Sequence, residues 1–332
     1  MSKQNVAILG ATGPVGQKII SMLENHPKFQ VAELAASDAR IGKKYKVEVS
    51  WKNEFPLPVS VGEMELRPLL EVKSELVISA LPSDVAKEVE FRLAERGHIV
   101  SSNASTFRMN QEVPLLIPEV NSSHLDLLRL QKGKGKLITN PNCSTVFLVS
   151  ALAPLMVLGE IEHVSVVTLQ ALSCAGYPGV SSFDLLGNII PHISREEAKI
   201  QEESKRILGT KDVPAKFGVT VHVHRVPVLH GHTVAAHVRF KNPVKDRDAT
   251  ELYRSWQSKY PNFIHLHESP DRPQPARDLH PHDMRVHVGR IKQGDDDRTV
   301  GFISLGHNLV RGAAGAAIAN LDSALQFVEG RL

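Results

Sequence analysis

A two-part α/β fold is what this sequence predicts, and three observations carry it. Short apolar runs alternate with amphipathic stretches as far as residue 140, a glycine-rich turn follows the first of those runs, and longer β-type runs dominate what comes after. The first rhythm implies βαβ units, a parallel sheet and a Rossmann-like dinucleotide-binding domain over 1–140. The second implies an α+β domain over 141–307 with a mostly antiparallel sheet and helices on one face. A chain of 332 residues is long enough to fill both cores.

The elements follow in order. Asn5–Leu9 is the first strand, and Gly10-Ala11-Thr12-Gly13-Pro14-Val15-Gly16 turns it into a helix over 15–25. Glycines there let the backbone approach a pyrophosphate, whose charge meets the helix N-terminus. The spacing is GxxGxxG and not GxGxxG, so a plain tight turn is the competing reading. The second strand, Phe29–Ala35, runs into Ser37-Asp38-Ala39-Arg40. Asp38 suits a ribose hydroxyl and NAD, whereas Ser37 and Arg40 suit the 2′-phosphate of NADP. Arg40 is the stronger argument, because a guanidinium pairs with phosphate in bidentate fashion and Asp38 can simply face solvent. Leu76–Ala80 and Ile99–Ser101 are further strands. Between them Val85–Arg96 is a helix, with Ser83 to cap its start, Val85, Val89 and Leu93 along one face, and Gly97 to close it. Lys132-Gly133-Lys134-Gly135-Lys136 is an exposed turn before the short strand Leu137–Thr139, and a domain boundary near 140 follows.

Asn140-Pro141-Asn142-Cys143-Ser144-Thr145 opens the second part. Pro141 disfavours helical geometry at Asn140, and Ser144–Met156 reads as a buried helix, so Cys143 belongs at or beside that helix's N-terminus. Unpaired amides and the positive end of the helix dipole favour thiolate there. A small buried hydrophobe at a loop end is the plainer alternative. Strands are expected at His163–Leu172, Val219–Pro227, Thr233–Phe240, Arg285–Ile291 and Thr299–Leu305. Helices are expected at Arg195–Leu208 and at the Ala-rich Val310–Val328, the latter returning within 308–332 to complete the first domain. Three places offer partners to the thiol. Gln170 ends a strand and can orient a carbonyl or water. Arg225 can hold a carboxylate, with His230 or His232 nearby for proton transfer. Glu196 and Lys199 share one helical face. Singly, each has an ordinary structural explanation.

Composition narrows the classes. The 39 basic and 36 acidic residues are interspersed, with a net charge of +3, which argues against nucleic acid or a membrane surface as partner. Two cysteines and no apolar run of membrane-spanning length point to a reduced cytoplasm. The 16 histidines are scattered, and no spacing among them reads as a metal site.

Taken together, these motifs resemble the aspartate-β-semialdehyde dehydrogenase family from Gly10–Gly16 through to Asn308-Leu309-Val310-Arg311-Gly312. The resemblance implies that Cys143 is the nucleophile, Gln170 an orienting amide, and His232, not His230, the acid–base group. It further implies that Arg225 holds the substrate α-carboxylate and Glu196 the amino group, while Lys199, Asn142 and Arg108 surround the phosphate. Ser173, Gly176 and Asn308 join Gly10, Thr12, Gly13, Pro14, Val15, Gly16, Ser37 and Arg40 as implied cofactor residues, with NADP as the cofactor. The substrates are then a small acyl phosphate and inorganic phosphate, and the chain a homodimer or homotetramer built through the second domain's sheet. Two positions depart from the family. Cys174 stands where glycine is common, either as a tolerated small residue or as an oxidation-sensitive neighbour of Cys143. His307 stands where aspartate is common. Rival readings are an N-acetyl-γ-glutamyl-phosphate reductase, which typically has Asn-Pro-Gly-Cys, a malonyl-CoA reductase, and a non-catalytic NADP-binding sensor. Asn142 and the Glu196/Lys199 pair favour the aspartyl substrate.

Overall fold

The computed structural model describes residues 2–332, which divide into two compact units. The first comprises the chain up to Pro118, Ser122–Pro141 and Ala313–Leu332; the second comprises Glu119–Asn121 and Asn142–Gly312.

Unit 1 is a six-stranded sheet of β1 (Gln4–Leu9), β2 (Phe29–Ala36), β3 (Leu66–Pro68), β4 (Leu76–Ser79), β5 (Ile99–Ser102) and β6 (Lys136–Thr139). Its order is β3-β2-β1-β4-β5-β6 and every pairing is parallel, the doubly wound arrangement. Alternation along each strand feeds two cores. Val6 and Ile8 join the core under α1 (Pro14–Leu23) and the C-terminal helix Gly315–Val328, whereas Ala7 and Leu9 join the core under α2 (Ser83–Glu95).

Three local expectations fail here. Ser83 is the first helical residue of α2 and makes no cap; Pro82 precedes it, and the Ser83 hydroxyl lies 3.0 Å from Ser105 Oγ. Ala86, with Val89 and Leu93, forms the buried face, and Val85 is exposed. Gly97 does close the helix, at φ +104°. The C-terminal helix also starts later than expected, because Val310–Ala314 winds as a π segment before the α-helix begins.

Unit 2 holds α3 (Cys143–Leu155), β7 (Ile161–Gln170), α4 (Glu196–Leu208), β8 (Gly218–Arg225), β9 (His232–Phe240), α5 (Asp246–Lys259), β10 (Ile264–Leu266), β11 (Val286–Gln293) and β12 (Thr299–Gly306). The sheet order is β10-β11-β12-β9-β7-β8. Its three central pairings are antiparallel and the two outer ones, β10 with β11 and β7 with β8, are parallel. The apolar α3 is buried almost throughout, and Tyr253 of α5 donates to the Ala151 carbonyl of α3 at 2.7 Å. On β7 the inward residues alternate with the exposed Val167 and Leu169, so one face of this sheet lacks a covering helix. Sequence reading missed α5, whose charged residues dilute its apolar stripe to Ala249 and Tyr253. It also missed a histidine group: His265 and His287 pair in register across β10 and β11, and His267 lies just beyond. Spacing along the chain, 20 residues from His267 to His287, concealed what strand pairing brings together.

Candidate active site

The site in unit 2 starts from a helix cap. Asn142 has extended backbone geometry, and its Oδ1 accepts from Ser144 N at 3.0 Å and Thr145 N at 3.3 Å. Such a cap contributes about 1 kcal/mol and fixes Cys143 as the first residue of α3, among amides that have no helical acceptor. Asn142 is tied on its other sides as well. Its Nδ2 donates to Glu196 Oε2 at 2.7 Å and its backbone N–H to Glu203 Oε2 at 2.5 Å.

Cys143 Sγ lies 3.2 Å from His232 Nε2 and 3.5 Å from Cys174 Sγ. His232 opens β9 and is fully buried; the ring edge of Phe147, one turn along α3, packs against it at 6.2 Å. Ala171 N–H points at His232 Nδ1, 3.0 Å away, which makes Nδ1 the acceptor and leaves the ring proton on Nε2, facing sulphur. Gly312 closes the other side. A Cβ there would sit 2.7 Å from Cys143 Cβ, so only glycine fits. The hydrogen bond from Cys143 holds the Cys174 thiol well below the ordinary thiol range, helped by His232 and Arg225 and opposed by burial.

Gln170 and Arg225 are register partners at the ends of β7 and β8. Arg225 Nη1 donates to the Ala171 carbonyl at 2.6 Å, which orients the guanidinium. Gln170 Nε2 is 3.4 Å from Glu196 Oε2, and Gln170 Oε1 is buried with no partner among the described residues. Glu196 Oε1 accepts from Lys199 Nζ at 2.8 Å. The fold therefore gathers Asn142, Cys143, Gln170, Glu196, Lys199, Arg225 and His232 in one unit. His230 does not face the sulphur; its Nδ1 lies 3.0 Å from Ser173 Oγ and its ring stacks on His307 at 5.1 Å. Asn308 donates to Ser173 Oγ at 2.8 Å and accepts from Gly231 N at 2.8 Å. Glu203, Phe147 and Gly312 were not singled out in the sequence. Glu203 lies seven residues after Glu196 on the same inward helical face, a signal the sequence does contain.

Unit 1 carries the glycine turn. Gly10 has φ +71°, and a Cβ on it would approach Ala80 O to 2.6 Å; one on Gly16 would approach Gly10 O to 2.4 Å. Pro14 occupies the first turn of α1, and the following amides have no helical acceptor. The Arg40 guanidinium donates to Thr12 Oγ1, which joins the two predicted phosphate-binding segments, while Ser37 and Asp38 are exposed. A tight glycine turn, a helix N-terminus and an arginine beside them fit a phosphorylated dinucleotide. Arg108, also in unit 1, is buried and donates through Nη2 to Asn103 O at 2.8 Å.

The chain is similar to known proteins over nearly its whole length. Residues 5–128 match the model of a semialdehyde dehydrogenase NAD binding domain, and residues 152–311 that of a semialdehyde dehydrogenase dimerisation domain. An aspartate-semialdehyde dehydrogenase of Archaeoglobus fulgidus is 45% identical over 96% of this chain and 97% of its own length. One of Methanothermobacter thermautotrophicus is 41% identical over 96% and 98%. A crystal structure of the Candida albicans aspartate semialdehyde dehydrogenase with NADP superposes with a TM-score of 0.88 at 36% identity, covering 99% of this chain and all of that one.

Proposed function

We infer the reaction from a premise the matches establish, that this chain belongs to the aspartate-semialdehyde dehydrogenase family. It reduces L-aspartyl-4-phosphate to L-aspartate 4-semialdehyde and inorganic phosphate with NADPH, a step in lysine, threonine, methionine and diaminopimelate biosynthesis. The relatives favour this over the N-acetyl-γ-glutamyl-phosphate and malonyl-CoA alternatives. The observation that carries the chemistry is Cys143 Sγ at 3.2 Å from His232 Nε2, on a capped helix N-terminus.

The Cys143 thiolate attacks the acyl carbonyl, the C–O bond to phosphate breaks, and phosphate departs with that electron pair, leaving a thioester on Cys143. Bound NADPH supplies the hydride. The resulting oxyanion on the substrate carbon then expels the Cys143 thiolate as the aldehyde forms. Because Ala171 holds His232 with its proton on Nε2, His232 serves as a donor to thiolate and oxyanion in turn. Arg225, oriented by Ala171 O, holds the α-carboxylate, and Glu196 the α-amino group. Gln170 offers its unpartnered Oε1 and its amide to the reacting group. Lys199 carries the phosphate. Asn142 caps α3, holds Glu196 through one N–H of its side-chain amide, and offers the second N–H to the phosphate. At the glycine turn Gly10, Thr12, Gly13, Pro14, Val15 and Gly16 take the pyrophosphate, with Arg40 and Ser37 selecting NADP; Ser173, Gly176 and Asn308 serve the nicotinamide end. The catalytic assembly is a homodimer joined through the uncovered sheet face of residues such as Val167 and Leu169, working in the cytoplasm.

The test is phosphate-dependent reduction of NADP by purified protein with aspartate semialdehyde, beside N-acetylglutamate semialdehyde, and NADPH oxidation with malonyl-CoA. Turnover is expected with aspartate semialdehyde alone. Cys143→Ser should abolish it while NADP binding survives, and His232→Asn should lower kcat by roughly 10²–10⁴. A Cys143→Ser enzyme with near-normal rate would overturn the reading.

A further inference from the structure

We propose that His265, His267 and His287 form a binding site for a divalent transition-metal ion, with zinc as the intended occupant and Asp283 as the outer partner that orients His287. The site lies at the edge of the unit 2 sheet and shares no residue with the candidate active site.

Its geometry comes from strand pairing. His265 on the edge strand β10 and His287 on β11 are in register, so their side chains leave the sheet on the same face. His267, two residues beyond His265, returns to that face and is anchored by its backbone N–H, which donates to Val288 O at 2.7 Å. The three rings meet with centroids 4.6, 5.4 and 5.2 Å apart, and one ligand nitrogen from each lies within 4.8 Å of the others. Nitrogens bound to a tetrahedral zinc at about 2.0–2.1 Å stand roughly 3.3 Å apart, so modest ring rotations complete the set.

Neutral imidazole is the form that ligates. His287 Nε2 faces Asp283 Oδ2 at 3.0 Å, which leaves Nδ1 as its available nitrogen. Arg285 also holds this carboxylate, through its Nε at 2.9 Å and Nη2 at 3.0 Å. A carboxylate behind a ligating histidine fixes the tautomer and raises ligand basicity. His267 Nε2 now sits 2.9 Å from His287 Nδ1; on metal binding its proton moves to Nδ1 of the same ring, so both nitrogens face the ion with no net proton change. Half-exposed His265 and His267 give the ion its entry, and a water completes the fourth position. The ion would clip β10 and the connection leading to β11.

The test uses the full chain carrying Cys143→Ala and Cys174→Ala, so that the thiols beside His232 cannot compete. After chelator treatment and dialysis, zinc is titrated calorimetrically, and cobalt is titrated while the visible spectrum is read. We expect one zinc per chain, cobalt d–d bands without thiolate charge-transfer absorption, and slower amide exchange over residues 264–288 with zinc. His265→Ala and His267→Ala should each weaken zinc by about 10-fold or more, and Asp283→Asn should weaken it by about 10-fold. Circular dichroism establishes that each variant is folded, and His265→Asn replaces His265→Ala should the latter not fold. No zinc binding in the parent, or equal affinity in the folded His265→Ala/His267→Ala double variant, would overturn the site.

Discussion

Cys143 shows how one residue's chemistry is assembled from its neighbours. The Asn-Pro turn and the apolar run after it are enough to place the thiol at a helix N-terminus, and the structure puts it at the first helical position. Which groups face the sulphur was not legible in the same way. His230 and His232 lie two residues apart; the family resemblance singles out His232, and the geometry sends His230 to Ser173 and His232 to sulphur. Cys174 was read as a small residue or as an oxidation-sensitive neighbour; its sulphur lies 3.5 Å from that of Cys143, whose hydrogen bond holds the Cys174 thiol below the ordinary range. A lowered pKa means that thiolate persists to lower pH. Alkylation by iodoacetamide, followed by mass spectrometry, should reach half its plateau rate well below the ordinary thiol midpoint of about pH 8.5. In Cys143→Ala the Cys174 midpoint should rise, because the thiol that hydrogen-bonds it is gone. An unmoved midpoint would show that the first sulphur does not stabilise the second.

Among the elements, the strands were more readable than the helices. Strand runs such as Thr299–Leu305 alternate or stay apolar enough to show themselves, whereas α5 buries little beyond Ala249 and Tyr253 and carries charge elsewhere. Likewise α2 was found, but its buried face was assigned to Val85 instead of Ala86, since a one-residue rotation changes the hydrophobic stripe very little in the sequence. The π segment Val310–Ala314 had no sequence signal, yet it brings Gly312 against Cys143. Gly312→Ala tests that packing. A methyl group 2.7 Å from Cys143 Cβ must displace either the helix start or the π segment. We expect kcat to fall on the order of 10- to 100-fold from misplacement of the nucleophile. Stability should fall by about 1–3 kcal/mol, as for other overpacked sites. Steady-state kinetics beside denaturant unfolding measure both, and a fully active variant would show that Gly312 does not constrain Cys143.

For the whole molecule, the exposed Val167 and Leu169 on β7 matter beyond the single chain. An apolar strip on an uncovered sheet face needs cover, and the match of 152–311 to a dimerisation domain accords with that. The paired substitutions Val167→Lys and Leu169→Lys should shift the protein toward monomer in sedimentation velocity, with circular dichroism unchanged; unchanged assembly would place the interface elsewhere. Period and punctuation in the sequence were sufficient to determine the two-part α/β class, the glycine turn, the address of Cys143 and the parallel character of the first sheet, because each depends on residues close together along the chain. Only the tertiary structure decided the partners of that cysteine, the network through Asn142 and Glu196, the two parallel outer pairings of the second sheet, and the meeting of His265, His267 and His287. Those depend on strand register and on which face of a helix turns inward, and both are settled by packing between segments remote in sequence.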